Sequence, residues 1–283
     1  MDFQSLAIKV ARSENLPVLP QVVGSLIRLA DDPNASASDL ERYIEVDAAL
    51  TGKILRVANT PQYSTSRVPT IGRAISLLGS NTVRSLAIGI AYHQSMAHRS
   101  TSSEFDILEF WRHNLAVACG SRILGKLKLP LKAEELYVAG LLHDIGMLVM
   151  ERFAPEEFDQ VIKHAKGYGL RLHEAENQLF AFDHAAVGGL LAEKWELGAV
   201  VRQAMGFHHK PIMDMECPQT TAAVAIANLL AQRAGLHNNV INREVHIPAE
   251  WLQVLDLAEG QLGAVQEVML QEVQRAQEQF NIA

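Results

Sequence analysis

Apolar residues recur every three to four positions along nearly the whole chain, the spacing of one face of an α-helix. In the first hundred residues these repeats carry helix start and stop signals. Ser36 precedes Asp39 at capping-box spacing, just ahead of Leu40, Tyr43 and Ile44. Asp47 is placed to cap a helix whose Leu50, Ile54, Val57 and Ala58 share a face. Thr70 is placed to cap another, with Ile71, Ala74, Ile75 and Leu78 inward and Gly79 at the C-terminal stop. A further helix runs through Val83, Leu86 and Ile90. Pro17, Pro20, Pro33, Pro61 and Pro69 fall at the breaks between these pieces.

A polar stretch from His98 to Ser103 reads as a linker or a long helix–helix loop. Helical spacing resumes with Phe105, Leu108, Trp111 and Leu115. Strong helical segments follow over Glu134–Met150, Ala185–Trp195 and Thr221–Arg233. The last piece, Leu262 to Phe280, is amphipathic. Its apolar repeat is too short for a coiled coil, so a packed terminal helix is expected. There is no sustained period-2 alternation and no hairpin dipeptide between apolar runs. The expected fold is therefore all-α. It has an N-terminal helical bundle over residues 1–100, packed on a second bundle over 101–283 that includes the C-terminal helix.

Composition supports that picture and removes some functions. Of 283 residues, 48% are hydrophobic and 20% charged, which excludes a disordered chain. Aromatics are only 6%, which favours helix over strand. The net charge of −7 argues against broad nucleic-acid coating, so no direct nucleic-acid binding is expected. Cys119 and Cys217 cannot build a disulfide framework. The N-terminus lacks the layout of a signal peptide, and no apolar run approaches the ~20 residues that span a bilayer. A cytoplasmic protein without membrane association is expected.

Charge is nevertheless uneven. Between Asp47 and Glu104 there is no acid, only Lys53, Arg56, Arg67, Arg73, Arg84 and Arg99. Lys53, Arg56, Arg67, Arg73 and Arg84 form a candidate surface for anions or acidic partners, against the simpler reading of a solvated helical face.

The eleven histidines add candidate chemistry. His143 and Asp144 interrupt the apolar run Leu141–Gly146. Burying an imidazole and a carboxylate costs several kcal/mol unless both are paired, and a divalent ion pairs both at once. Adjacent helical residues point ~100° apart, so an ion between them needs ligands from other helices. His113, one turn after Glu109, is one source; His184, after Asp183, is another; His208 and His209 form a second adjacent pair. Imidazoles with one carboxylate suit iron, manganese or zinc rather than calcium. The wide spacing is that of a bundle-core site. His93, His98, His164, His173, His237 and His246 lack such context and are expected at the surface.

Leu141-Leu142-His143-Asp144-Ile145-Gly146 resembles the signature of the HD superfamily of metal-dependent phosphohydrolases. Phe110–His113, Asp183–Gly188 and His208-His209 follow in that superfamily's order and rough spacing. Leu16-Pro17-Val18-Leu19-Pro20, the run Asp47–Asn59 and Ala74-Ile75-Ser76-Leu77-Leu78-Gly79 narrow the resemblance to the HDOD family. These are bacterial signalling proteins related to the HD-GYP phosphodiesterases, and the resemblance covers about residues 5–235. It implies an HD-like second bundle holding one or two divalent ions, iron or manganese in preference to zinc. His113, His143 and Asp144 would hold one ion. His184, His208 and His209, with Asp144 bridging, would hold a second. Glu109 and Asn228 are additional candidates.

This sequence departs from the hydrolases in two places. Asn228 falls where the superfamily's final aspartate is expected. Met147 replaces the lysine that follows the motif in the phosphodiesterases, and no Gly-Tyr-Pro motif is present. The resemblance thus implies a regulatory module acting on signalling proteins through contacts, metal-binding and with little or no hydrolysis. A metal-dependent phosphohydrolase acting on a nucleotide or other phosphate ester is the alternative. A sensor that binds a nucleotide or phosphate ligand without hydrolysing it is the third reading.

Overall fold

The structure, a computed structural model, describes residues 2–12, 21–31, 35–61, 63–95, 102–241 and 245–280. The Leu16–Pro20 motif, Pro33 and His98 lie outside the described residues. Among the described residues there is helix and no strand, as the apolar spacing predicts. Six helices come first: α1 (Phe3–Arg12), α2 (Gln21–Asp31), α3 (Ala37–Glu45), α4 (Ala48–Ala58), α5 (Ile71–Leu78) and α6 (Ser80–Ser95). Then follow α7 (Ile107–Lys128), α8 (Ala133–Leu142), α9 (Ile145–Phe153), α10 (Pro155–Tyr168) and α11 (Leu172–Phe180). The last five are α12 (His184–Lys194), α13 (Ala199–Phe207), α14 (Pro218–Arg233), α15 (Ala249–Val254) and α16 (Leu262–Phe280).

The chain divides into two compact units. The smaller contains α2 to α6 and residues 274–280. Its helix ends follow the sequence signals. Ser36 and Asp39 form the reciprocal capping box of α3, Asp47 accepts from the N–H groups of Ala49 and Leu50, and Thr70 caps α5. Gly79 stops α5 with φ of +85°, a left-handed conformation that disfavours any residue with a Cβ. Leu26, Ile44, Leu50, Ile54, Ile71 and Ile88 form its core.

The larger unit contains α1, α7 to α15 and α16 as far as Val273. Helix α1, expected in the N-terminal bundle, groups here. Leu6 and Val10 are buried, the Phe3 and Phe182 rings lie 5.2 Å apart, and Lys194 donates to the Ala11 carbonyl at 3.1 Å. The 22-residue α7 is buried on all sides over most of its length. It packs on α8 and α14, whose small side chains allow close approach. Leu262, Val265, Met269 and Val273 line the buried face of α16, and Glu272 pairs with Arg122 at 2.8 Å. The end of the polar linker is held: Asp159 accepts from the N–H and hydroxyl of Ser103, at 3.0 and 2.7 Å, and from the Ser102 hydroxyl.

The predicted helix over Glu134–Met150 is two helices. It breaks at His143 and Asp144, between α8 and α9, because both side chains are directed into the unit's interior.

Candidate metal centre

Apart from His113, each side chain of the centre sits at a helix end or in a turn. His113 lies on α7, two turns from its N-terminus. His143 and Asp144 form the break between α8 and α9. His184 opens α12, where Asp183 caps the helix by accepting from the Ala186 N–H at 3.0 Å. His208 ends α13, and His209 follows it. The glycine two residues beyond Asp144 is needed for close approach. A Cβ on Gly146 would stand 2.0 Å from the His184 carbonyl oxygen, so only glycine lets α9 meet α12 here.

Asp144 is the hub. Its Oδ1 stands 3.1 Å from His143 Nε2, 3.1 Å from His184 Nε2 and 3.3 Å from His208 Nε2. Its Oδ2 stands 3.7 Å from His113 Nε2 and accepts from Asn238 Nδ2 at 2.7 Å. His209 Nε2 lies 2.9 Å from His184 Nε2 and 3.1 Å from His208 Nε2. Two ligand groups result, His113–His143–Asp144 and Asp144–His184–His208–His209, with the atoms of each group within 4.8 Å of one another. Asp144 belongs to both.

The outward ring nitrogens decide the chemistry. Nδ1 of His113, His143 and His208 meets the carbonyls of Leu236, Gly140 and Ala204 at 2.8, 2.8 and 3.0 Å. A carbonyl only accepts, so each Nδ1 carries the hydrogen and the neutral ring turns a bare Nε2 inward. Those lone pairs face an acceptor-only carboxylate. His113 Nε2, His143 Nε2 and Asp144 Oδ1 are buried without a hydrogen-bond partner. Clustered acceptors in a dry interior repel one another unless a cation stands among them. A divalent transition ion fits this donor set.

The electrostatics agree. Burial pushes His143 and His209 well below the ordinary imidazole value and lowers His113. Burial opposes ionisation of Asp144, but the His143 and His184 imidazoles against it outweigh burial and hold the carboxyl well below its usual range. Burial also opposes a charged His184, yet Glu176 and Asp144 on either side raise it well above 6.5. Positive charge is thus favoured beside the carboxylates, at His184 between Glu176 and Asp144.

Three participants are absent from the sequence reading. Glu176 Oε2 bonds His184 Nδ1 at 2.7 Å and accepts from the His184 backbone N–H at 2.9 Å. Its signal is an acid on the apolar face of α11, one turn after the buried Leu172. Asn238 holds Asp144 from the loop after α14, where no sequence pattern marks it. His173, expected at the surface, is half-buried and stacks on His209 with ring centroids 3.8 Å apart. Burial, then the charge of His184, push it down to about 3.

Other candidates fall elsewhere. Glu109 is exposed and belongs to neither ligand group; it lies on the first turn of α7, before that helix enters the core, beside an open cleft of about 1020 Å³. Asn228 is buried, accepts from Gln232 Nε2 at 2.6 Å, and lines a cavity of about 20 Å³ with Arg171, His173, His184, His208 and His209. Met147 is fully buried, its sulfur 3.8 Å from Asn238 Nδ2. Of the basic candidates, Arg56, Arg67 and Arg73 are exposed, and Lys53 and Arg84 half-buried. No helix of the described residues is long and apolar enough to cross a membrane.

The chain is similar to known proteins over most of its length. An uncharacterized protein of Treponema pallidum (strain Nichols) is 26% identical over 230 residues, 79% of this chain and 44% of that one, so the chain spans less than half of that relative's length. An HDOD domain protein of unknown function from Geobacter sulfurreducens shares the fold. Its crystal structure has a TM-score of 0.81 at 23% identity, covering 98% of this chain and 97% of that one. A protein described as a signal-transduction candidate from Marinobacter aquaeolei VT8 has a TM-score of 0.75 at 20% identity, covering 93% of this chain and 59% of that one. The HDOD domain profile matches residues 16–211, more than two-thirds of the sequence, and its span includes every residue of the two ligand groups. The chain belongs to the HDOD family.

Proposed function

We propose that this chain is a regulatory module of bacterial signalling that acts through protein contacts. It holds one or two divalent ions, iron or manganese in preference to zinc, at His113, His143, Asp144, His184, His208 and His209. It hydrolyses phosphate esters feebly or not at all. The observation that carries the last point is space. The cavity beside His184, His208 and His209 is about 20 Å³. A water needs roughly 10–15 Å³ of such volume, so there is room for about one water and none for a phosphate ester.

Two residues reinforce it. Asn228 brings a neutral amide, already engaged by Gln232, to the place where the hydrolases have a carboxylate. Met147 is apolar and buried where the related phosphodiesterases have a lysine. Losing a donor to developing phosphoryl charge costs about 2.7–4 kcal/mol of transition-state stabilisation. A bound divalent ion supplies Lewis acidity and lowers the pKa of water. The chain's own residues set the ligands. Gly140, Ala204 and Leu236 carbonyls fix three ring orientations, Glu176 fixes His184, and Asn238 fixes Asp144. The likeness to a signal-transduction candidate supports the signalling half of the reading.

One feature favours a metal-dependent phosphohydrolase as the second reading. Arg171 lines both the small cavity and the open cleft, where a guanidinium would face a phosphate entering from solvent. The test is turnover of bis(p-nitrophenyl) phosphate and cyclic dinucleotides with added Mn²⁺ or Fe²⁺, beside elemental analysis. Wild type is expected to bind metal and to turn over at background, and Asp144→Ala to lose the metal. Robust wild-type turnover that vanishes in Asp144→Ala would put the phosphohydrolase first.

A further inference from the structure

In the smaller unit three acids are engaged by the backbone while three exposed bases are not. Asp39 is bonded to Ser36, Asp47 to the first turn of α4, and Glu41 accepts from the Gly72 N–H at 2.9 Å. These carboxylates are turned onto the backbone. Arg56, Arg67 and Arg73 are exposed, and none of their guanidinium groups has a hydrogen bond or ion pair among the described residues.

Their placement is not scattered. Asn59, one turn beyond Arg56, clasps the Val68 backbone at both its N–H and carbonyl, at 2.8 and 2.9 Å. Arg67 therefore runs beside the last turn of α4. Val68 leads directly to Thr70 and the first turn of α5, which carries Arg73. Four residues on, and so on the same helix face, Leu77 is 42% exposed. The arc thus offers three unpaired guanidinium groups and one apolar side chain, on a stretch of chain with no acid of its own.

We propose that this arc docks an acidic, leucine-bearing segment of a partner protein. The inference rests on the reading that the chain works through protein contacts and names the chemistry of the contact. Planar guanidinium groups match carboxylates in bidentate geometry. Leu77 gives an apolar contact that a phosphate backbone does not use. The acids of α3 in the same unit, and the net charge of −7, oppose a long polyanion but not a short acidic peptide.

The experiment is fluorescence anisotropy of the full chain with a labelled synthetic peptide of alternating Glu, Asp and Leu. A duplex DNA fragment is run in parallel. Arg56→Glu/Arg67→Glu/Arg73→Glu is expected to lose at least about tenfold in peptide affinity, and wild-type binding to weaken as salt rises. A control with three reversals on the larger unit, Arg12→Glu/Arg152→Glu/Arg233→Glu, should bind as wild type. Leu77→Ser should weaken the peptide and leave DNA unaffected. If the triple reversal unfolds the unit by circular dichroism, Arg→Gln at the same three positions replaces it. Equal peptide binding by both triple variants overturns the proposal. So does tighter binding of DNA than of peptide through the same arginines. Turnover separates the two failures: an active wild type overturns the non-hydrolytic part of the proposed function, while absent peptide binding by an inactive wild type removes only this surface.

Discussion

In the smaller unit, the carboxylates of Asp39 and Asp47 cap helices within two or three residues of themselves, close to solvent. In the larger unit, Asp144 and Glu176 are fully buried. Their partners come from other segments: His184 is 40 residues from Asp144, and Asn238 is 94 away. The first arrangement saturates backbone donors and leaves nothing over. The second leaves bare nitrogens and a carboxylate oxygen facing one another, a defect by the standards of a folding core. A network unsatisfied in this way, with orienting bonds on His113, His143, His184 and His208, has the chemistry of a binding site more than of a packing solution.

That contrast can be broken by substitution. The largest effect is expected for Glu176→Gln, which removes the charge behind His184 and keeps the shape. Metal affinity should fall about 10- to 100-fold, the usual cost of losing a partner that orients a ligand. Titration with Fe²⁺ or Mn²⁺ measures it, and unchanged affinity would mean that Glu176 is merely a structural partner. Gly146→Ala comes next. Its methyl group would meet the His184 carbonyl, and overpacking of this kind costs about 1–3 kcal/mol. Chemical denaturation should show that loss together with weaker metal binding, because α9 and α12 must separate.

Asp47→Ala tests the other unit. Loss of the α4 cap should cost about 1 kcal/mol, read as lowered hydrogen-exchange protection of α4, with metal content unchanged. A coupled loss of metal would show that the two units do not respond independently. The smallest effect is a pH dependence. The Ser36 hydroxyl and N–H hold Asp39 below the ordinary carboxyl value. A depressed folded-state value contributes stability above the unfolded pKa of about 3.9 and loses it as pH falls through the folded one. Protection of α3 in wild type should therefore exceed that in Asp39→Asn at neutral pH, with the gap closing in acid. A gap that widens in acid would contradict the capping box as its source.

The starts of α3, α4 and α5 were legible in the sequence because a cap is a local object: Ser36, Asp47 and Thr70 bond N–H groups two or three residues away. The all-helical fold was legible for the same reason, since periodicity needs only near neighbours. The six candidate ligand residues were legible through motif order, and the fold brings them together. What packing decided lies at longer range. The break at His143 and Asp144 turns both side chains inward, and Gly146 just beyond it meets the His184 carbonyl, contacts that no helical pattern encodes. Glu109 and His113 share a helix face, yet only His113 reaches the centre, because α7 enters the core after its first turn. His173, Glu176 and Asn238 entered the centre from segments whose local patterns fit a surface, an ordinary helix and a loop. Burial and the partners it selects are properties of the assembled helices. The sequence by itself therefore determined the helices, their caps and the chemistry available, while the tertiary structure decided which polar groups were sealed from water, and so which of them share one charge.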